Sequence, residues 1–154
     1  MKSDRARKED GIREIWELRE KGQKNTSDIR EYLESTGDAN LLSELVREEY
    51  VMLRGNQLSF TKEGAKKAQE ILRNNRLLKK FFEDILQVES PAEIISEFEH
   101  YLSQEVADKL CTFLGHPKDD RGLDIPEGKC CSITVLQEEG LMSLSNCGIG
   151  EEVV

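Results

Sequence analysis

The chain has 154 residues, of which 34% are charged and 37% are hydrophobic, and its formal net charge is −9. Residues 1–10 are polar and of mixed charge, and no apolar run reaches the roughly 18 residues that a membrane span needs. These features predict a cytoplasmic protein with no signal peptide and no membrane partner.

The charge is distributed unevenly along the chain. Residues 1–80 contain 18 Lys and Arg against 15 Asp and Glu, a balance of +3, whereas residues 81–154 contain 4 against 16, a balance of −12. An acidic chain argues against nucleic-acid binding because phosphate contacts need a cationic surface, but the first half is close to neutral. The length suffices for two small cores that share an interface, so we expect a molecule of two parts.

Three amphipathic helices are predicted in the first half, the first over residues 8–21. Their apolar residues follow mostly helical spacing: Ile12, Ile15, Trp16 and Leu18, then Ile29, Tyr32 and Leu33, then Leu41, Leu42, Leu45 and Val46. Apolar residues 50–53 and 58–60 then flank a turn that contains Gly55 and Asn56, which predicts a β-hairpin. Three helices followed by a hairpin predict a winged helix-turn-helix, with the third helix in the recognition position.

The second half is predicted to be helical up to about residue 114. A long helix runs from Thr61 to about Leu86, and residues 90–93 read as a capping box with proline at the first helical position. The helix that it opens is expected to bury Ile94, Ile95, Phe98 and Leu102, and Ser103 caps another helix. Such a small helical body is expected to be completed by a second copy of itself.

The segment around residues 96–100 is the strongest candidate for a metal site. On a helix, Ser96, Glu99 and His100 are spaced i, i+3 and i+4, so they share one face. A carboxylate beside an imidazole suits Mn²⁺ or Fe²⁺, and Asp10 in the first helix is the candidate for a third ligand.

The four cysteines, Cys111, Cys130, Cys131 and Cys147, have no C-x-x-C spacing, which weakens the case for structural zinc. Reduced thiols are the simpler interpretation. A thiolate metal site of Cys130, Cys131, Cys147 and His116 is the alternative, although His116 alone is expected to be a loop anchor.

Several segments resemble the diphtheria toxin repressor family, the iron- and manganese-dependent transcriptional repressors. The matching residues lie in order along the chain: 15–18, 58–64, 75–86, 99–106, 113–117 and 125–131. The resemblance implies a mainly α protein with an N-terminal winged helix, a two-stranded wing and a helical dimerisation domain. We expect a winged-helix domain at residues 1–63 and a metal-binding and dimerisation domain at 64–131, with the connecting helix at about 61–86. Residues 132–154 would form an incomplete strand-like tail, the start of an SH3-like domain that is mostly missing here.

The family's metal ligands carry over only in part. Asp10, Glu99 and His100 match ligand positions, and Ser96 and Asn75 stand at two further ligand positions as weaker candidates. Lysine at 79 and arginine at 13 replace carboxylates of the family. Because a cation repels a dication, we expect at most one Fe²⁺ or Mn²⁺ per subunit.

The expected DNA contacts come from the second and third helices and from the wing. The candidate residues are Ser27, Asn40, Ser43, Arg47, Arg54 and Asn56. The turn before the third helix is about two residues shorter than in the family, and carboxylates near that helix would weaken DNA binding.

The leading functional interpretation is a metal-dependent repressor that senses Fe²⁺ or Mn²⁺ as a homodimer on a double-stranded DNA operator. One alternative is a metal-independent transcription factor of the same family with a degenerate metal site. Another is a protein–protein adaptor that has lost DNA binding. An enzyme is not expected, since the sequence shows no nucleophile–base pair and no cofactor loop.

Overall fold

The structure is a computed structural model and describes residues 2–131. The strand-like pieces predicted within residues 132–154 lie outside this range. Within residues 2–131, no helix is both long and apolar enough to cross a membrane.

The first part of the chain is a three-helix unit followed by a two-stranded wing. Its elements are α1 (Asp4–Glu20), α2 (Thr26–Ser35), α3 (Leu41–Arg47), β1 (Val51–Arg54) and β2 (Gln57–Phe60). The strands pair antiparallel, with Val51 opposite Phe60 and Arg54 opposite Gln57. The predicted winged helix-turn-helix is therefore confirmed.

The sequence prediction placed the start of the first helix too late. The helix begins at Asp4 because Ser3 caps it, its side chain accepting a hydrogen bond from the Ala6 amide. The additional turn matters for the site, since it brings Arg5 and Arg7 onto the same helix as Asp10.

One core unites this first part with the long helix α4 (Lys62–Lys80). Its fully buried members include Ile12, Ile15, Ile29, Leu33, Leu45, Val51, Leu58 and Ala68. Trp16 packs against this core, as predicted, and its ring lies 5.2 Å from that of Phe60. Gly64 lets α4 leave the wing, because a Cβ there would lie 1.8 Å from the carbonyl oxygen of Tyr50.

The second part packs against the far end of α4. It contains α5 (Ala92–Phe98), α6 (Gln104–Phe113) and a small hairpin of β3 (Asp119–Asp120) and β4 (Leu123–Asp124), which the sequence analysis missed. The predicted long helix is split, because α4 ends at Lys80 and a π-helical turn, Phe81–Ile85, follows. A second small core joins Leu77 of α4 to Ala107, Cys111 and Ile125.

Two predictions about α5 were wrong. Ser90 does not form a capping box: its φ is +52°, Pro91 takes the N-cap position and no side chain caps the helix. Of the residues expected to be buried on this helix, Ile95 is buried, but Ile94 and Phe98 are 42% and 51% exposed. Phe98 contacts the Phe82 ring at a centroid distance of 6.1 Å, yet both Ile94 and Phe98 stay largely exposed.

Candidate metal centre and DNA-binding surface

Asp10, Glu99 and His100 come together where α1 meets the end of α5. One donor atom from each lies within 4.8 Å of the others. His100 Nε2 is 2.9 Å from Asp10 Oδ1 and 3.6 Å from Glu99 Oε1. The fold thus joins a residue of the winged helix to two residues of the helical part.

The backbone around Glu99 and His100 is held by α4 rather than by a continuing helix. We expected these residues to lie on a helix with Ser96, but α5 ends at Phe98 and Glu99 is its C-cap. The buried side chain of Asn74 donates to the carbonyl oxygens of Glu99 and Leu102. This turn places His100 under α1, where both its ring nitrogens find partners.

Glu9 is a further member of this centre that the sequence analysis missed. Its Oε1 lies 2.9 Å from His100 Nδ1, on the side of the ring opposite Asp10. A carboxylate that binds the second nitrogen of an imidazole fixes the orientation of the ring, and metal-ligating histidines usually have such a partner. The only hint of this role in the sequence is that Glu9 directly precedes Asp10. Two consecutive side chains of a helix can contact opposite sides of one imidazole ring.

Cations surround these carboxylates. Arg13 Nε lies 3.2 Å from Glu99 Oε1, and its Nη2 lies 3.8 Å from Asp10 Oδ1. Lys67 Nζ lies 3.0 Å from Glu9 Oε2, and Lys2 forms an ion pair with Asp10. As described, the centre is an ion-pair network between α1, α4 and the end of α5.

This network sets the protonation of its members. Burial opposes a charged imidazole, but the hydrogen bonds to Asp10 and Glu9 outweigh it and raise the pKa of His100 to about 9. Burial likewise opposes a charged Glu9, yet hydrogen bonds from His100, Arg5 and Lys67 lower the pKa of that carboxyl to about 2. Near neutral pH the metal-free centre therefore holds an imidazolium between two carboxylates, and a metal ion must displace its proton.

The two weaker candidates, Asn75 and Ser96, have different roles. The Asn75 amide nitrogen donates to Glu99 Oε2, so it orients that ligand. Burial raises the pKa of Glu99, whereas Arg13 and Asn75 lower it. The Ser96 hydroxyl donates to the carbonyl oxygen of Glu93, one turn back along its own helix.

All six candidate DNA-binding residues are exposed, and they lie on α2, α3 and the wing. Two of them also hold the wing in place. Asn56 Oδ1 accepts from the Ser27 amide at 3.0 Å, and the Asn56 carbonyl accepts from the Thr26 amide. Asn56 therefore caps α2 from the wing, a role that Asn25, the N-cap residue, does not perform with its own side chain.

The acidic residues near α3 are paired with α1. Arg7 forms ion pairs with Asp38 and Glu44, and Lys8 Nζ lies 2.6 Å from Glu48 Oε1. These pairs neutralise the carboxylates that we expected to repel DNA. They also engage Arg7 and Lys8, two of the few cations near the recognition helix.

Comparison with known proteins finds a partial match in sequence and a similar fold. Residues 61–127 match the model of the iron-dependent repressor metal-binding and dimerisation domain. The fold is similar to that of the manganese regulator SloR, with a TM-score of 0.67 and 25% identity, over 79% of this chain. The chain is thus similar to the iron- and manganese-dependent repressors, in sequence over residues 61–127 and in fold over a larger part of its length. Two other chains show the same fold: IdeR of T. acidophilum, at 19% identity over 84% of this chain (TM-score 0.62), and the hypothetical protein SSo2273 from Sulfolobus solfataricus, at 19% over 79% (TM-score 0.58).

The matched part makes up a different share of each relative's chain. The matched part covers 60% of the SloR chain and 62% of the IdeR chain, but 98% of SSo2273. No curated protein sequence matches this chain. Lys79, which the sequence analysis expected at a ligand position of the family, has its Nζ 3.5 Å from Asp120 Oδ2.

Proposed function

We propose that this chain is a metal-responsive transcriptional repressor that binds a double-stranded DNA operator as a cytoplasmic homodimer. The observation that carries the proposal is the meeting of Asp10 with Glu99 and His100, whose donor atoms lie within 4.8 Å of one another. A divalent ion held by all three would tie the winged helix to the helical part.

The donor set fits a first-row dication, with Fe²⁺ or Mn²⁺ as the proposed ion and one ion per subunit. Two carboxylates and one imidazole, with further positions for water, are ligands that these ions accept. Asp10, Glu99 and His100 would hold the ion, which supplies a double positive charge between two carboxylates. Glu9 keeps the imidazole in the tautomer that donates from Nδ1 and leaves Nε2 for the ion.

Residues of α1 would transmit metal binding to the DNA-binding surface. Asp10 lies on α1, which also contacts α3 through the ion pairs of Arg7 and Lys8. Fixing α1 against the end of α5 would therefore fix the recognition helix relative to the dimer body. In a two-fold dimer this sets the spacing of two recognition helices, so metal and operator should each tighten the binding of the other.

The homodimer is proposed from the apolar surface of the helical part. Phe113, Phe81, Phe82 and Phe98 form a chain of ring contacts with centroids about 6 Å apart. Phe113 and Phe98 are 65% and 51% exposed, and Tyr101 beside Phe98 is 83% exposed. Contiguous exposed aromatic surface of this kind marks a protein interface.

A second candidate is a metal-independent regulator of the same family, and the cations around the centre favour it. Arg13 already pairs with Glu99, and a protonated His100 already joins Asp10 to Glu9. These contacts link α1 to α5 without any ion. This candidate predicts operator binding that is indifferent to a chelator.

Calorimetric titration with Mn²⁺ tests the proposed site. We expect the wild-type chain to bind one ion and Asp10→Asn, which keeps the shape but removes the charge, to lose most of that affinity. The matched control is Asp28→Asn, which changes an exposed carboxylate on α2 and should bind Mn²⁺ as the wild type does. Equal Mn²⁺ binding by wild type and Asp10→Asn would contradict the proposed ligand set.

A further inference from the structure

A second group of metal-ligating side chains lies away from this centre, at the end of α6. Cys111, His116, Cys130 and Cys131 each offer one donor atom, and the four atoms lie within 4.8 Å of one another. Cys111 is buried and the other three are half-buried. None of them belongs to the ligand set proposed above.

The measured separations match those of a tetrahedral metal site. Metal–sulfur and metal–nitrogen bonds of about 2.3 and 2.05 Å around Zn²⁺ place two sulfurs about 3.8 Å apart, and a sulfur and a nitrogen about 3.6 Å apart. Cys131 Sγ lies 3.8 Å from both Cys111 Sγ and Cys130 Sγ. His116 Nδ1 lies 3.6 Å from Cys111 Sγ and 3.7 Å from Cys131 Sγ.

A tight turn after α6 brings His116 back to Cys111. Cys111 is in the last turn of α6, and the chain then reverses through Gly115 and His116 with φ of +80° and +52°. The His116 amide donates to the Cys111 carbonyl at 2.8 Å, which aims the imidazole back at the thiol. A non-glycine residue in the left-handed region is uncommon and costs free energy, so this turn is held by its surroundings.

The buried side chain of Arg73, on α4, lies beside the thiol cluster. Its side chain is 4% exposed, and Nη2 lies 3.2 Å from Cys130 Sγ and 2.8 Å from Asp108 Oδ1. Within residues 2–131, its Nε and Nη1 are buried without a hydrogen-bond partner. Asp108 already pairs with this guanidinium, and a cluster of three thiolates and a dication would place a further net negative charge beside it.

The turn that carries Cys130 and Cys131 is shaped around this guanidinium. The Cys131 amide donates to the Gly128 carbonyl at 3.1 Å. A Cβ at position 128 would lie 2.3 Å from Arg73 Cζ, so only glycine lets the turn cross the arginine this closely. The cation is thus placed against the outside of the thiol cluster.

We infer that Cys111, His116, Cys130 and Cys131 form a structural site for a thiophilic dication such as Zn²⁺. Four protein ligands leave no open position, which is typical of a structural rather than a catalytic ion. Each thiol would lose its proton to solvent as its sulfur–metal bond forms. The ion would fasten residues 116–131 to the end of α6 and to α4, independently of Fe²⁺ or Mn²⁺ at the first centre.

The spectrum of the Co²⁺-loaded chain, prepared under reductant, tests this inference. We expect one Co²⁺ to give the sulfur-to-metal charge-transfer absorption and the intense visible bands of a tetrahedral thiolate site, and Zn²⁺ to displace it. Asp10, Glu99 and His100 offer no sulfur, so they cannot produce this charge-transfer signature. The spectrum therefore separates this site from the proposed regulatory one.

Single variants identify the ligands. Cys111→Ser, Cys131→Ser and His116→Ala should each lose or markedly shift the spectrum, and Zn²⁺ should raise the melting temperature of the wild type but not of Cys131→Ser. Cys147→Ser removes the fourth cysteine and should leave the spectrum unchanged. A wild type without the thiolate bands, or a Cys147→Ser chain that loses them while Cys111→Ser keeps them, would overturn the proposed site.

Discussion

His100 is the residue at which a proton and a metal ion would compete. Its ring is buried between two carboxylates, and its pKa of about 9 keeps it charged at neutral pH in the metal-free chain. A metal ion needs the Nε2 lone pair, so its binding must release this proton. The affinity for Mn²⁺ should therefore rise with pH up to about 9.

The same raised pKa predicts how the stability of the metal-free chain depends on pH. Since the folded pKa of His100 lies above the ordinary value of 6.5, its stabilisation is fully present below pH 6.5 and is lost as the pH rises through about 9. Urea unfolding in the presence of a chelator measures it. The difference in unfolding free energy between wild type and His100→Gln should shrink as the pH rises across this window. A difference that does not change with pH would contradict the assigned protonation.

Arg13 should weaken metal binding because its guanidinium contacts Glu99 and approaches Asp10. Removing its charge with Arg13→Gln should raise the affinity for Mn²⁺ by about tenfold or more. Arg19→Gln is the matched control, since Arg19 lies on the same helix but faces the Phe60 ring. Titration calorimetry measures the Mn²⁺ affinity of both variants and of the wild type. An Arg13→Gln chain with the wild-type affinity would show that Arg13 does not oppose the ion.

The sequence could predict part of both centres. Asp10, Glu99 and His100 were proposed as ligands from their residue types and spacing, and the family resemblance then pointed to the same three positions. Glu9 and the participation of Cys111 in the thiol cluster were missed, because both depend on how separate turns meet in space. Cys147, which the sequence analysis grouped with the other thiols, lies outside the described residues.

At the scale of the elements, the wing and α2 form one unit through Asn56. Its side-chain oxygen accepts from the amide of Ser27, which would otherwise be an unpaired donor at the start of α2. Asn56→Ala should therefore cost about 1 kcal/mol of unfolding free energy and speed hydrogen exchange in the first turn of α2. Asn56→Asp keeps an acceptor oxygen and should restore both, whereas an unaffected Asn56→Ala would contradict the capping role.

Local patterns predicted most elements, and they failed where tertiary structure decides. The spacing of Leu41, Leu42 and Leu45 was enough to place α3, because these residues are buried in one core. The motif at residues 90–93 suggested a capped helix, but Ser90 adopts a positive φ and cannot cap it. Apolar spacing likewise cannot tell whether a side chain is covered within its own chain, since Phe98 was expected to be buried and is 51% exposed.

At the scale of the whole molecule, the exposed aromatic surface should hold two copies together. Phe113→Asp should shift the sedimentation equilibrium from dimer to monomer, because a charge would be buried in an apolar interface. Met52→Asp on β1 introduces the same charge at a side chain that is 39% exposed and should leave the dimer intact. A Phe113→Asp chain that remains dimeric would place the interface elsewhere.

In the proposed function, metal at Asp10, Glu99 and His100 controls operator binding. The measurement that tests it most directly is the fluorescence anisotropy of a labelled duplex from the protein's own upstream region, with Mn²⁺ and then with chelator. We expect Mn²⁺ to tighten binding by about tenfold or more in the wild type, and Asp10→Asn to abolish this gain. Equal affinity with Mn²⁺ and with chelator would contradict the claim and favour the metal-independent regulator.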